Sequence, residues 1–153
     1  MSDILSELLA QEEELQFEQF NEDTAWELGG LLVETARAEN LPVTVDITLG
    51  THQLFHSARP GTSADNDEWV KRKVNLVNRM GHSSFYLGQL LKSKGTCIMD
   101  AWLIPESDFA PHGGCFPIII RGTGVVGTIT VSGLAQEDDH ALVVRIMREY
   151  LAK

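Results

Sequence analysis

The chain has little of what most readily betrays a function. It holds two cysteines, Cys97 and Cys115, in 153 residues. That is too few for a disulfide scaffold, and the spacing is wrong for a zinc ribbon. Basic residues are scarce, 12 against 22 acidic ones, for a net charge of −10. Ten acids from Asp3 to Glu34 precede the first base, Arg37. Nucleic-acid binding draws on a cationic footprint that releases counterions, and none exists overall. No apolar run approaches about 18 residues, and the acidic MSDILSELLAQEEE lacks the basic start of a signal peptide. The expectation is a cytoplasmic protein with no nucleic-acid partner, no membrane and no metal. The length fits one domain over residues 1–153, with an acidic helical extension over 1–20. Such a domain folds without disulfides or metals.

What is present is a clear alternation of helical and strand patterns. Ile4, Leu5, Leu8, Leu9, Leu15, Phe17 and Phe20 recur at helical spacing over 4–20. Asn21 or Asp23 can cap a second helix carrying Trp26, Leu28, Leu31, Leu32 and Ala36, closing near Asn40. Gly29-Gly30 within it weakens the helix and suggests close approach of another backbone, as at a subunit contact. Val43, Val45, Ile47 and Leu49 alternate with Thr44, Asp46 and Thr48 as a strand, and Gly50-Thr51 turns it into a return over His52 to Ala58. His52 and His56 stand about 13 Å apart on such a strand, too far to share one ion.

A third helical stretch begins near Asp65 or Asn66, with Trp69, Val70, Lys73, Val74, Val77 and Met80 on one face. Gly81 interrupts it, Ser83 or Ser84 restarts it, and Gly95 stops it. Cys97 to Ile104 is apolar enough for a strand, Phe116 to Ile120 and Val125 to Val131 form a hairpin, and Gln136 to Leu151 is helical. Gly122, Gly124 and Gly127 spell G-x-G-x-x-G. The β-branched run that follows makes them a hairpin turn rather than a dinucleotide loop, which needs a helix there. The pattern predicts an α+β domain: an antiparallel sheet of about five strands with flanking helices.

Three boundary groups could carry chemistry. Gly81-His82-Ser83-Ser84 is a helix break with a serine cap, or an exposed imidazole beside hydroxyls and the bases Lys71, Arg72, Lys73 and Arg79. That basic cluster reads as a solvated helix face or an oligomer contact. Pro111-His112-Gly113-Gly114 is a turn, or a place where missing Cβ atoms admit a flat ligand to His112. Glu137-Asp138-Asp139-His140 favours the start of the last helix. His140 there can bond a neighbouring carboxylate. Ser132 is outside any G-x-S-x-G nucleophile pattern. Cys115 reads as core, with pairing to His112 as the alternative.

At these residues the chain resembles a known family. HGGCFPI, VVGTITVSGL, the EDDH helix entry, DEWVKRKVNLVNRMGHSS and FNEDTAWELGGLLVETA are similar to the GlcG/HbpS-like family, often labelled the haem-degrading domain. They are most similar to its small stand-alone branch, over roughly residues 20–151. The resemblance implies a profilin-like α-β-α domain. It also implies homo-oligomers in which dimers assemble into a ring or shell. Haem is the cofactor that the resemblance suggests, although the branch has no demonstrated reaction. Carried over by motif, Gly81, His82, Ser83, His112, Gly113, Gly114, Ser132, Gly133, Asp139 and His140 fall on recurring positions. Two readings follow. One is an oligomeric module that binds a small molecule or partner. The other is non-covalent haem binding, with a histidine near the iron and Arg72, Lys73 and Arg79 on the propionates.

Overall fold

Alternation along two hairpins builds the sheet. In the computed structural model, which describes residues 3–153, β1 (Thr44–Leu49) and β2 (His52–Ala58) pair antiparallel across Gly50-Thr51. A second hairpin joins β3 (Cys115–Ile120) and β4 (Gly124–Ser132). The strand order is β2-β1-β4-β3, antiparallel throughout. The helices are α1 (Asp3–Glu14), α2 (Glu22–Ala38), α3 (Ala64–Met80), α4 (Ser84–Ser93), α5 (Ile98–Trp102) and α6 (Gln136–Leu151).

One sheet face is apolar. Val43, Val45, Ile47, Phe116, Ile118, Ile129 and Val131 meet Leu28, Leu32, Val143, Ile146 and Met147 of α2 and α6. The opposite face lies against α3 and carries Thr44, Asp46, Thr128, Thr130, Ser132 and Cys115, all buried. A satellite cluster of Leu76, Leu87, Leu91, Ile98 and Ile104 binds α3, α4 and α5 together. The α+β layering with helices on both faces of one antiparallel sheet is as expected.

The strand count is not. The sheet has four strands, because Cys97 to Ile104 contains a helix. Buried Ile98 and half-buried Trp102 stand four apart, about one helical turn, and Met99, Asp100 and Ala101 between them are all exposed, which a two-residue period does not give. Leu103 ends the turn in the left-handed region at φ +57°.

The first helix also stops early. After Glu14 the chain extends, Phe17 bridges to Ile120, and the Phe17 N–H donates to Ile119 O at 2.8 Å. This covers the outer edge of β3, which would otherwise expose unpaired backbone groups. Caps follow local chemistry. Asn21 caps α2 and Ser83 caps α4, whereas α3 is capped by Ser63, ahead of both expected residues. Gly29 is demanded by the Phe55 ring, whose atoms would lie 2.5 Å from an added Cβ. Its constraint is therefore a side chain of the same subunit, not a second backbone.

Candidate functional site

Polar groups collect where β4 ends and α6 begins. Ala135 provides α6 with no side-chain cap. Asp139, in the first turn, instead folds back onto the preceding loop, accepting from Leu134 N–H at 2.9 Å and Gly133 N–H at 3.3 Å. Lys73 reaches across the sheet end from the middle of α3. Its Nζ donates to Asp139 Oδ2 at 3.4 Å and to Val131 O at 3.3 Å. Both side chains are only 3% exposed. The expected solvated basic face thus fails at Lys73, because the position shares a helix face with Val70 and Val77 and must enter the interior.

Gly114 passes directly over this pair. Its φ is +134°, and a Cβ there would collide with Val131 O and stand 2.8 Å from Lys73 Nζ. Gly113 is confined by the Gln136 backbone and the Phe85 ring, and its N–H donates to Gln136 Oε1 at 3.1 Å. Gly114 thus lets the HGG segment pack on the ion pair, and Gly113 lets it pack on the start of α6.

Burial disfavours charge on both partners. It raises the Asp139 carboxyl to about 6, against the pull of Lys73 and the two backbone N–H groups. Burial likewise lowers the Lys73 ammonium, with Asp139 opposing.

His112 stands at the rim. Its ring packs edge-on against Trp69 at 5.2 Å, and Arg72 lies over the same indole at 4.5 Å. Desolvation of the packed side lowers its basicity first, then the positive charges of Lys73 and Arg72 do so. On one side of His112 is a cavity of about 260 Å³ lined by Asn66, Trp69, Lys73, Ser132, Gln136 and Asp139. On the other is a groove of about 390 Å³ with Arg72, Leu91, Lys92, Ile98 and Phe109. His112 is a wall of both.

The other expected site residues lie elsewhere. His82 Nδ1 sits 2.8 Å from Glu12 Oε1, and Ser83 N–H donates to Glu12 Oε2 at 3.0 Å. A carboxylate of α1 thus engages the imidazole that the sequence left free beside the basic cluster. His140 bonds an amide and not a carboxylate: Nε2 is 2.7 Å from Gln11 Oε1. Between Phe85 and Phe116, burial drives its basicity down to about 4, and Nδ1 has no partner among the described residues. Arg79 lies exposed, 5.8 Å from the Phe109 ring. Cys115 is not a nucleophile paired with His112. Burial pushes its thiol up to about 12.

The structure thus gathers Lys73, His112, Gly113, Gly114, Ser132 and Asp139, with Arg72 at the rim. His82, Ser83 and His140 pack on α1 instead. Asn66, Trp69, Gln136 and Lys92 escaped the sequence reading. Only Trp69 had a signal, standing three and four residues before Arg72 and Lys73.

A four-stranded antiparallel sheet between helices, with Gly114 laid over a buried ion pair, defines a small layered α+β domain. The chain belongs to the family of HbpS-like haem-degrading proteins, whose model matches residues 20–148. A UPF0303 protein of Streptomyces avermitilis is 46% identical over 149 residues, covering 97% of this chain and 91% of its own length. One from Rhizobium etli is 46% identical over 153 residues, covering 100% and 93%. Among solved structures, the Ybr137w protein superposes with a TM-score of 0.91 at 30% identity, over 99% of this chain and 90% of its own. HbpS shares the fold, with a TM-score of 0.67 at 20% identity over 89% and 92%. So does the PduOC–haem complex, with a TM-score of 0.63 at 20% identity over 79% and 87%.

Proposed function

We propose that this protein binds a small ligand against His112, in the polar cavity and the groove that this one side chain separates. The observation that carries the reading is the imidazole itself. It forms no hydrogen bond among the described residues, its basicity is lowered, and it borders both spaces. Rim position, concavity and a few convergent polar groups are what a binding site requires. The test follows the His112 ring by NMR while small polar metabolites are titrated. Saturable shifts that vanish in His112→Ala support the site, and a ring that never responds rejects it.

Haem is the second reading, favoured by the groove. The residues present fit it chemically: a neutral imidazole donor at His112, an apolar floor of Leu91, Ile98 and Phe109, and Arg72 and Lys92 as partners for propionates. The cation set differs from the sequence expectation. Lys73 lies buried beside Asp139, on the cavity side, and Arg79 lies over Phe109. Bound iron would supply redox chemistry, while His112 would ligate and the two cations would orient. The PduOC–haem complex, of the same fold, supports this reading. Haemin titration should give a saturable Soret shift that His112→Ala abolishes and Arg79→Ala keeps. A non-saturating response in the wild type rejects haem.

We also assign a homo-oligomer in the cytoplasm, dimers joining into a ring or shell. Trp26 at 72% and Leu103 at 87% exposure are large apolar side chains in want of cover. No described helix is long and apolar enough to cross a membrane. Light scattering that returns a monomer would refute the assembly.

A further inference from the structure

The Lys73–Asp139 pair is poorly explained as a stabilising ion pair. Asp139 already accepts from two backbone N–H groups. Lys73 makes two long contacts, 3.3 and 3.4 Å, where charge-assisted bonds run about 2.7–2.9 Å. An ammonium carries three N–H donors, and the described residues supply these two acceptors. Buried charge held so loosely is a net burden that an apolar pair of similar volume would avoid. A neutral amine suits the same surroundings. Its neighbours in the cavity are Ser132, Asn66, Gln136 and His112, polar groups able to hold a compact substrate beside the nitrogen.

We propose that Lys73 captures a small aldehyde or ketone as a covalent imine, with Asp139 as its proton donor. This rests on the ligand site described above and names its substrate class. In the reactive form the pair's shared proton lies on Asp139, leaving a lone pair on Lys73 Nζ. The amine adds to the carbonyl carbon, forming a C–N bond, while a proton moves from nitrogen to the oxygen. The Asp139 proton then passes to that hydroxyl, which leaves as water as the C=N bond forms. An iminium remains beside the Asp139 carboxylate, so one ion pair replaces another and no redox partner is consumed. Burial that favours the neutral amine is the usual way a lysine becomes a nucleophile.

The test treats the purified full-length protein with 2-oxobutanoate or glycolaldehyde plus cyanoborohydride, followed by peptide mapping. Lys73 should carry the reduced adduct, saturating with probe, while exposed Lys71 gains label only in linear proportion. Asp139→Asn should slow capture about a hundredfold, the low end of general acid catalysis. Label on surface lysines with Lys73 bare overturns the proposal, and this wild-type map decides it without any variant. Capture at an undiminished rate in Asp139→Asn overturns the assigned proton donor. The His112 ring signal is recorded in the same samples. If it shifts while Lys73 stays bare, the binding site stands and carbonyl capture falls; if neither responds, both fall.

Discussion

The two faces of the sheet come from the same strands, yet they do different work. On the α2–α6 face, Val45, Ile47, Phe116, Ile129 and Val131 make a continuous apolar layer, with His140 of α6 beside Phe116 as its titratable neighbour. On the α3 face, Thr44, Asp46, Thr128, Thr130, Ser132 and Cys115 are equally buried but polar. Part of that polarity is unserved: the hydroxyl of Thr44 has no partner among the described residues. A face built for stability alone would be apolar. The lesson is that burial identifies the core, whereas buried polarity identifies where chemistry is kept.

The comparison is broken hardest by removing Asp139. Asp139→Ala leaves the Lys73 ammonium buried without a counter-charge and frees two backbone N–H groups, so stability in urea should drop by about 3–5 kcal/mol. A loss no larger than that of an exposed pair, about 1 kcal/mol or less, would show that the end of the polar face is not tightly closed.

Acid offers the next lever. The folded His140 has its basicity lowered from 6.5 to about 4, so its contribution is present above pH 6.5 and lost as pH falls through about 4. The advantage of wild type over His140→Phe should shrink by roughly 3 kcal/mol across that window. Asp139 works in the opposite sense. Raised from 3.8 to about 6, its contribution is present below pH 3.8 and lost as pH rises through about 6. The two slopes oppose each other in wild type, and only the difference against the variant isolates His140. A constant difference would mean that His140 is solvated.

Smaller changes sharpen the contrast. Ile129→Val on the apolar face removes one methyl group and should cost about 0.5–1.5 kcal/mol by thermal or urea melting. Thr44→Val on the polar face removes a hydroxyl that has no partner among the described residues, and should raise stability by up to about 1 kcal/mol. A marked loss there would reveal a partner, such as a buried water.

Much of the fold was legible. Period-two alternation over 43–49, glycine turns at Gly50 and Gly122, and the 136–151 helix follow from local sterics and residue spacing, and the structure keeps all of them. Cys97 to Ile104 was misread because a short apolar run has no period of its own. Only the packing of Ile98 and Ile104 against Leu76, Leu87 and Leu91 makes it helical. The site was half legible. The HGG segment and the EDDH helix start announced unusual backbone and charge. Nothing local, however, indicated that Lys73 would cross to Asp139, or that Gln11 and Glu12 would take His140 and His82.

The sequence by itself determined the class of domain, the hairpins, the last helix and the family, because these rest on contacts between near neighbours and on motif spacing. Tertiary structure alone decided which histidine faces a cavity, which lysine is buried and which carboxylate answers it. Those partners stand 66 residues apart at Lys73 and Asp139 and 129 apart at Gln11 and His140. Spacing along a chain carries no information about pairs that meet only when separate layers close on one another.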